Sequence, residues 1–273
     1  MSINPVDFEY LRKLMAEHTA IVLDAGKEYI AESRLANLVV QEGFDSVPAL
    51  IRTLRTNAFD VLHRKVVNAM TNNETWFFRD LVPFEALRKQ IIPSVLASRM
   101  EERRLSIWCA ACSSGQEPYS VAMLLRENFP ELRSWKVRIL ATDISTSVLD
   151  RAQRGRYSQL EINRGLPATL LARYFTREGL EWVISADVKQ AIEFRLFNLA
   201  ESWKDYPSCD IVLIRNVLIY FDVETKKGVL ARVRRCLRPD GYLLLGGAET
   251  TLNLDEKFER IQFETTAYYR PLL

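Results

Sequence analysis

Apolar residues recur at intervals of three and four along the first part of the chain, and this spacing predicts amphipathic helices. No alternating strand pattern interrupts the helical spacing before residue 98. We therefore expect residues 1–80 to form an N-terminal helical domain and residues 81–98 to form a linking helix. The apolar positions that carry the pattern are Phe8, Leu11 and Met15, then Ala31, Leu35, Leu38 and Val39, then Phe59, Leu62, Val66 and Met70.

After Arg104 the pattern changes to short apolar runs separated by helical stretches, beginning with the run Leu105–Ala110. Such a run has the length and composition of a buried strand. The β-α-β-α order that follows predicts an α/β domain over residues 99–273, with a doubly wound, Rossmann-like parallel sheet. Its further predicted elements are helices at about 117–128, 145–153 and 223–236, strands at 136–142, 209–214 and 242–245, and a turn at 239–241.

Two segments between these halves alternate apolar and polar residues, at 180–185 and 192–197. Alternation is typical of half-exposed antiparallel strands. We therefore predict that the two segments pair as a hairpin, which places a small antiparallel β-subdomain at about residues 170–197 as an insertion in the larger domain.

Composition limits the classes of function. The chain has 273 residues, of which 48% are hydrophobic, and its 37 basic residues nearly cancel its 35 acidic ones. A chain of this kind buries a large core, and it carries no overall charge that draws it to nucleic acid or an anionic membrane. The start carries Asp7 and Glu9 where a secretion signal has a basic region, and no segment has the length of a membrane span. We expect a soluble cytoplasmic protein that inserts in no membrane and binds no nucleic acid.

Cysteine spacing gives little reason to expect a metal. Cys109 and Cys112 form one C-x-x-C pair, but Cys209 and Cys236 stand alone, and the two histidines are distant in sequence. No second pair completes a zinc site. We predict no metal and interpret the cysteines as reduced, buried thiols.

Ligands of an open parallel sheet bind beyond the carboxyl ends of its strands. The loop after the first predicted strand, 111–118, is rich in small residues, and Gly115 allows a ligand close to the backbone. Asp143 ends the second strand, where a carboxylate can accept hydrogen bonds from the hydroxyls of a nucleotide ribose. Asp143 at this position is equally suited to capping the helix that starts near Ser145.

Two cofactor classes fit a nucleoside site of this kind. A nicotinamide dehydrogenase needs several glycines where a helix meets the pyrophosphate, but here Gln116, Glu117 and Pro118 occupy that turn, and Glu117 repels phosphate. S-adenosylmethionine brings a sulfonium and an ammonium and no phosphate, so a carboxylate suits it. The loop favours S-adenosylmethionine.

At four places the chain resembles the signatures of the chemotaxis receptor methyltransferases, the CheR family. A fifth similarity, Glu32–Leu35, lies in the helical part, and the matches follow the family order over nearly the whole chain. Gln116 departs from the family, which more often has an acid there, but Glu117 remains. The four motifs are Met70–Asp80, Ala110–Ser120, Ala141–Ile144 and Arg215–Phe221.

The resemblance implies a class I methyltransferase domain that uses S-adenosyl-L-methionine and releases S-adenosyl-L-homocysteine. It also implies glutamate side chains in the cytoplasmic helical domain of methyl-accepting chemotaxis receptors as substrates, with recruitment to membrane-embedded receptor arrays. A regulatory protein partner is left unidentified. The residues expected around the cofactor are Asn73, Thr75, Arg79, Glu117, Asp143, Asn198, Leu199, Arg215 and Asn216.

The chemistry of these residues supports separate roles. Arg79 is the only strong cation of its motif and suits the cofactor's α-carboxylate. Asn198 offers a side-chain acceptor and Leu199 a backbone donor to adenine, although Asn198 at the end of a strand is also a common terminator.

A glutamate carboxylate ordinarily has a pKa of about 4.3, so it is already ionised at neutral pH and needs no general base. We therefore expect an in-line displacement in which Arg79 acts mainly on the cofactor and Tyr220 orients the acceptor glutamate. Three alternatives remain open. The first is the nicotinamide oxidoreductase that the loop disfavours. The second is an amino-group methyltransferase, although Asn216 lacks the Pro-Pro-Tyr sequence that such enzymes often carry. The third is a cofactor-binding adaptor without turnover.

Substrate contacts are expected in the helical domain. Between residues 46 and 70 the basic Arg52, Arg55, Arg64 and Lys65 face only Asp60, and acidic receptor helices suit such a segment. We predict substrate binding by Arg52 and Arg55, together with Arg34 from the family-like motif. An equally good interpretation is that these arginines lie on solvated helix faces and contact no substrate. Family members can hold a receptor-tail peptide on the β-subdomain, but the short segment 175–179 predicts weak or absent peptide binding here.

Overall fold

A computed structural model describes residues 3–203 and 208–272 and divides the chain into two compact units. The first unit runs to Asn72 and also takes in Tyr220–Thr225, and the second holds Asn73–Ile219 and the chain from Lys226 onward. The boundary between these units lies after Asn72, and the domain bounds expected from the sequence, 1–80, 81–98 and 99–273, stay predictions. The predicted outer bounds, residues 1 and 273, lie outside the described residues.

The first unit is helical, as the apolar spacing predicts. Three of its four helices start after a residue whose side chain satisfies a free backbone N–H group: Asn4, Ser46 and Asp60 each accept a hydrogen bond from the first turn that follows. A core of Leu, Ile, Met and Val side chains, Leu11, Leu35 and Ile51 among them, joins the four helices. These are α1 (Pro5–Thr19), α2 (Glu28–Gln41), α3 (Val47–Thr56) and α4 (Val61–Met70).

Phe59 is the apolar position that the helical pattern misplaced. It precedes α4, is 44% exposed, and stacks on the ring of His18 with 4.0 Å between ring centroids. The helix begins after it because Asp60 forms a capping box with His63, which fixes the first turn at Val61.

A short segment from much later in the chain, Tyr220–Thr225, completes the first unit. The backbone N–H of Val22 donates to the carbonyl of Tyr220 at 2.9 Å, and Ile21 and Phe221 form an antiparallel β-bridge. The chain thus leaves the second unit after Ile219 and returns to it at Lys226.

The second unit begins with a helical run that covers the predicted helix 81–98. It consists of α5 (Val82–Ala86), a π-helical turn at Leu87–Ile91 and α6 (Ile92–Ser98). Pro93 has no N–H to give the carbonyl four residues earlier, and a π turn is one way for a helix to absorb that defect.

A seven-stranded sheet forms the centre of the second unit. Its strands are β1 (Arg104–Ala110), β2 (Lys136–Asp143), β6 (Ile192–Leu196), β7 (Cys209–Ile214), β8 (Leu237–Leu245), β9 (Phe258–Phe263) and β10 (Thr266–Pro271). They lie in the order β6-β2-β1-β7-β8-β10-β9, which is 3-2-1-4-5-7-6 when the strands are numbered within the sheet. The last strand along the chain, β10, is antiparallel to both of its neighbours. The order confirms the predicted doubly wound, Rossmann-like class I methyltransferase fold.

Helices connect the parallel strands and follow the predicted positions closely. In chain order they are α7 (Gln116–Asn128), α8 (Thr146–Arg154), α9 (Gln159–Asn163), α10 (Ala168–Tyr174), α11 (Ala186–Gln190) and α12 (Val223–Cys236), with 3-10 turns at Pro130–Ser134 and Leu218–Tyr220.

The inserted subdomain exists, but its strands differ from those predicted. It is a three-stranded antiparallel sheet of β3 (Arg156–Ser158), β5 (Glu181–Ile184) and β4 (Phe175–Glu178), in that order. The prediction that 192–197 pairs with 180–185 is wrong, because β6 lies parallel to β2 at the edge of the large sheet. An edge strand has one covered face, so its alternation resembles that of a half-exposed antiparallel strand.

The predicted turn at 239–241 lies inside β8 as an irregularity of register. Leu237 pairs with Cys209 and Tyr242 pairs with Ile211, so the residues between form a bulge on β8. Arg99 holds it, since its guanidinium, 6% exposed, donates to Asp240 at 2.9 Å and to Asp210 at 2.8 Å. No helix among the described residues is long and apolar enough to cross a membrane.

Candidate active site

The loops after β1 and β2 meet at the carboxyl ends of these neighbouring strands. The backbone N–H of Cys112 donates to the carbonyl of Thr142 at 2.9 Å, and the N–H of Ser113 donates to Asp143 Oδ2 at 2.8 Å. The Ser113 hydroxyl then donates to the carbonyl of Asn73 at 2.7 Å. These bonds bring Asn73, one of the residues expected around the cofactor, to the loops where this fold binds ligands.

Asp143 lies at the centre of this arrangement and is 6% exposed. Its second carboxylate oxygen accepts from the N–H of Ser145 at 3.0 Å. Ser145 is itself the N-cap residue of α8, so Asp143 bonds to the residue before the first turn and is not the N-cap. Burial raises the pKa of Asp143, and the backbone donors Ser145, Ser113 and Ile144 oppose that rise. Each oxygen has a second lone pair, so the carboxylate can still accept from ribose hydroxyls.

Gly115 has a packing role in addition to the predicted open approach for a ligand. A Cβ at this position would lie 2.9 Å from Cβ of Ala152 and 3.1 Å from the Tyr119 ring, and its φ of +93° disfavours other residues. The glycine therefore seats the start of α7 against α8.

Glu117 and Arg215 form a buried ion pair, 2.9 Å from Arg215 Nη1 to Glu117 Oε2. Burial raises the pKa of Glu117, and the neighbouring guanidinium opposes the rise. The second terminal nitrogen of Arg215 donates to Asp80 at 2.8 Å and to the carbonyl of Arg79 at 2.8 Å. Arg215 therefore braces α7 and the 79–80 turn, and its terminal nitrogens are directed at protein acceptors.

Arg79 is held beside this brace with part of its guanidinium still unsatisfied. One terminal nitrogen donates to the carbonyl of Glu74 at 2.9 Å, and the guanidinium carbon lies 4.3 Å from the centre of the Trp76 ring. Arg164 lies 4.0 Å from the same ring centre and pairs with the Glu74 carboxylate. Nε of Arg79 is buried and, among the described atoms, has no hydrogen-bond partner. A buried donor without a partner fits a ligand carboxylate.

Asn198 and Leu199 follow β6 and are already engaged locally. Asn198 accepts from the N–H of Ala200 at 3.0 Å and donates to Glu201 at 3.1 Å. The Leu199 carbonyl accepts from Trp203 at 3.2 Å and from Arg232 at 2.9 Å. The strand-ending interpretation of Asn198 therefore describes its present contacts, and its adenine role stays a prediction.

Backbone strain concentrates in these same loops. Several residues other than glycine have φ between +44° and +67°, a region that costs energy for a side-chain-bearing residue. Asn216, at +60°, is the second residue after β7, and the others flank Arg79 and Ser113. The residues are Phe78, Asp80, Leu81, Ala111, Ser113 and Asn216.

Tyr220 lies in the first unit and lines a small cavity of about 100 Å³. Its hydroxyl accepts a hydrogen bond from Asn72 Nδ2 at 2.6 Å, and Arg34 lines the same cavity while donating to the carbonyl of Met70 at 2.5 Å. Tyr220 is half-buried and so is not a packed core aromatic. The structure thus brings together Tyr220 and Arg34, and it adds Asn72.

The two arginines of α3 do not line this cavity. Both are exposed, but Arg55 Nη1 lies 2.9 Å from the carboxylate of Asp7, which is 1% exposed. The buried Asp7 carboxylate is therefore held by Arg55 and by Asn4, whose Nδ2 donates to it at 2.8 Å.

Sequence reasoning missed several parts of the site: Asp80, Ser113, Asn72 and the pair Trp76 and Arg164. Asp80 was within reach, because a buried arginine with one acid usually needs a second acceptor. The Ser113 and Asn72 contacts depend on loop geometry that spacing does not encode. Among the described residues, no group of three His, Cys, Asp or Glu side chains is arranged to hold a metal ion, and all four cysteines are buried.

Carboxylates from α7 and β2, beside an arginine with an unsatisfied buried nitrogen, suit a ligand that combines cationic groups, ribose hydroxyls and a carboxylate. S-adenosylmethionine has these groups and carries no phosphate. With its strand order, the second unit is that of a class I S-adenosylmethionine-dependent methyltransferase.

Comparison with known proteins identifies the family. The CheR methyltransferase, SAM binding domain matches residues 73–267, and the CheR methyltransferase, all-alpha domain matches residues 6–71. The chain belongs to the CheR methyltransferase family, and its cofactor is S-adenosylmethionine.

Similar proteins match over the full length. Chemotaxis protein methyltransferase 1 of Pseudomonas aeruginosa is 40% identical, and Chemotaxis protein methyltransferase Cher2 of Pseudomonas putida is 38% identical, each match covering 99% of both chains. A solved TehB-like SAM-dependent methyltransferase from Corynebacterium glutamicum is 14% identical over 71% of this chain and 94% of that one, with a TM-score of 0.40. The relatives place the chain among methyltransferases of chemotaxis.

We predict that Asp143→Ala weakens cofactor binding by about 1.5–3 kcal/mol, the range for hydrogen bonds to a charged group. Because burial raises the pKa of Asp143, wild-type affinity should fall as the pH drops through that raised pKa, where the carboxylate gains a proton and loses an acceptor. Asp143→Asn should lose this part of the pH dependence. Calorimetry with S-adenosylhomocysteine across pH measures both effects.

The matched control is Asp150→Asn, on the exposed side of α8, which should bind like wild type at every pH. Unchanged affinity in Asp143→Ala together with a lower melting temperature would show that Asp143 only organises the two loops.

Proposed function

We propose that the chain transfers the methyl group of S-adenosylmethionine to glutamate side-chain carboxylates of chemotaxis receptors, forming glutamate methyl esters. The observation that supports the choice of a carboxylate is the cavity in which the Tyr220 hydroxyl, Asn72 and Arg34 lie together. Asp24 and Lys27 also line the cavity, but they pair with each other at 2.5 Å, so their charges offset. The remaining hydroxyl and guanidinium, with further N–H groups, suit an anionic acceptor better than an amine.

S-adenosylmethionine supplies an electrophilic methyl group on a sulfonium. Arg79 would hold the cofactor's α-carboxylate through the nitrogen that has no protein partner, and Asp143 would hold the ribose. Glu117, ion-paired with Arg215, adds negative potential near the cationic methionine end. Asn73, Thr75 and Asn216 would line the same ligand, with Asn198 and Leu199 at its adenine.

The acceptor needs no general base, because a glutamate carboxylate is already ionised at neutral pH. Both histidines of the chain are engaged in the first unit: His18 stacks on Phe59, and His63 caps α4 and contacts Tyr10 at 3.1 Å. Carboxylate and sulfonium lose charge as the methyl moves, so positioning and exclusion of water supply most of the acceleration. Tyr220 orients the acceptor without a full charge.

Receptor substrates of this kind are membrane proteins with cytoplasmic helices, so the enzyme would work in the cytoplasm at receptor arrays. Incubation with tritiated S-adenosylmethionine and receptor-containing membranes tests this directly. We expect label on the receptors that base releases as methanol. Label that survives base would indicate methylated nitrogen, and binding of cofactor with no transfer in a single turnover would indicate an adaptor.

Tyr220→Phe should lower kcat about twofold to tenfold, the effect of one neutral hydrogen bond of about 0.5–1.5 kcal/mol, with little change in cofactor affinity. Arg79→Ala should weaken cofactor binding as well, because it removes a charged partner. Single-turnover rates and calorimetry separate the two. Tyr29→Phe, at an exposed tyrosine of α2, is the control for loss of a hydroxyl, and equal loss of cofactor binding in both site variants would contradict this division of roles.

Arg52 and Arg55, predicted together as substrate contacts, should behave differently. Arg52→Glu should slow receptor methylation, most at low salt, with unchanged melting, because Arg52 is exposed. Arg55→Glu should destabilise the protein by about 1–2 kcal/mol, because it removes the charged partner of the buried Asp7. The loss is smaller than the roughly 3–5 kcal/mol of a fully buried ion pair, since Arg55 is exposed and water screens its charge. Thermal melts and rates at two ionic strengths check this, and a salt-independent rate in Arg52→Glu would remove its substrate role.

A free receptor-tail peptide should bind weakly or not at all. The edge strand β4 and its partner β5 are joined by Gly179 and Leu180 alone, with a φ of +62° at the glycine. So compact a turn leaves little surface beside the strand edge for gripping a peptide end. Titration of the peptide measures the affinity directly, and micromolar or tighter binding would show that receptor choice lies in a tether.

A further inference from the structure

Glu249 is a buried carboxylate that is not among the residues expected around the cofactor. It lies in the loop after β8, is 9% exposed, and accepts four backbone hydrogen bonds. Its Oε1 accepts from the N–H groups of Val217 and Leu218 at 2.9 and 2.7 Å. Its Oε2 accepts from those of Asn216 and Gly246, both at 2.7 Å. Each oxygen therefore has two donors, and the charge is fully enclosed by them.

Three of the four donors are consecutive, and they follow β7 after one intervening residue, Arg215. Asn216 has a φ of +60°, and this left-handed residue turns the chain so that three successive N–H groups converge on one point. Leu218, the last of them, begins the 3-10 turn that ends at Tyr220. The carboxylate thus fixes the start of the short segment that carries both Asn216 and Tyr220.

The opposite side of the carboxylate is closed by Gly246. A Cβ at that position would lie 2.7 Å from Glu249 Oε2 and 2.8 Å from both the backbone N and the side-chain Nδ2 of Asn216. The backbone N–H of Glu249 also donates to the Gly246 carbonyl at 2.9 Å. Glycine at 246 is therefore what lets the carboxylate and the Asn216 turn approach so closely.

We infer that Glu249 is a positioning residue for methyl transfer, which acts by holding the Asn216–Leu218 turn and, through it, Tyr220. The inference rests on the proposed role of Tyr220. An ionised carboxylate can accept from all four N–H groups, whereas a glutamine side chain has one acceptor oxygen and directs N–H groups of its own at backbone donors. Loss of the charge leaves the turn without its common acceptor, and the side chains it carries lose their fixed placement.

Glu249→Gln tests this with Glu256→Gln as the matched control, since Glu256 is exposed in the same loop. We expect Glu249→Gln to lower kcat for receptor methylation by no more than Tyr220→Phe does, about twofold to tenfold, because Glu249 acts through Tyr220. The receptor KM should change little. In a Tyr220→Phe background, Glu249→Gln should lower kcat much less. Both substitutions remove the same contribution, the orientation of the acceptor by the Tyr220 hydroxyl, so their effects are not additive. The control should match wild type.

Amide hydrogen exchange provides a readout that needs no turnover. The N–H groups of residues 216–218 should exchange slowly in wild type and faster in Glu249→Gln. Gly246→Ala keeps the charge and crowds the same turn, so it should reproduce the kcat loss, and it serves if Glu249→Gln does not fold.

Three outcomes overturn the inference: unchanged exchange in Glu249→Gln, an undiminished kcat penalty in the Tyr220→Phe background, or a lower melting temperature with normal kcat. A wild-type protein that labels no receptor contradicts the proposed function alone, since the exchange measurement still decides whether Glu249 holds the turn.

Discussion

The cofactor side of this enzyme depends on the guanidinium of Arg215, buried at the carboxyl end of β7. A buried charge is tolerated only when it is paired and hydrogen-bonded, and here Glu117, Asp80 and the Arg79 carbonyl provide the acceptors. The same bonds join three segments that are far apart in sequence. They fix the strained 79–80 turn, which in turn places Arg79. Arg215, whose two terminal nitrogens both bond to protein, thus sets the position of Arg79, although Nε of each arginine is buried without a partner in the part of the chain that the structure describes.

The electrostatic character of the site follows from its carboxylates. Glu117 and Asp143 are buried, and burial raises the pKa of each, with partners only partly opposing the shift. Negative charge held at a cost in a low-dielectric place favours a ligand with positive charge and disfavours a phosphate. We propose that these two carboxylates, with a single glycine in the loop after β1, are the reason that a fold shared with nucleotide-binding enzymes takes a sulfonium cofactor in this chain.

The sequence predicted those parts of the fold that a buried run or a helical spacing encodes. Leu105–Ala110 and Cys209–Ile214 read as central strands because nearly every residue is apolar, and they are the two central parallel strands. β6 was misassigned because only one of its faces is covered, and β3 was too short, at three residues, to give a pattern. The location of Asp143 at the ligand edge of the sheet was predicted, because an acidic residue at the end of a buried strand can be recognised in the sequence. Asn72 and Glu249 were not found, since their roles depend on backbone groups brought close by folding.

The segment Tyr220–Thr225 gives the helical part of the chain a dependence that its sequence alone conceals. Helices α1–α4 end at residue 70, yet Val22 and Asn72 bond to Tyr220, which is encoded 148 residues after Asn72. A fragment that stopped at Asn72 would leave these partners unmet. Gene fusion or domain exchange at that junction would therefore transfer an incomplete module, and recombination that preserves it must carry two separate pieces of coding sequence together.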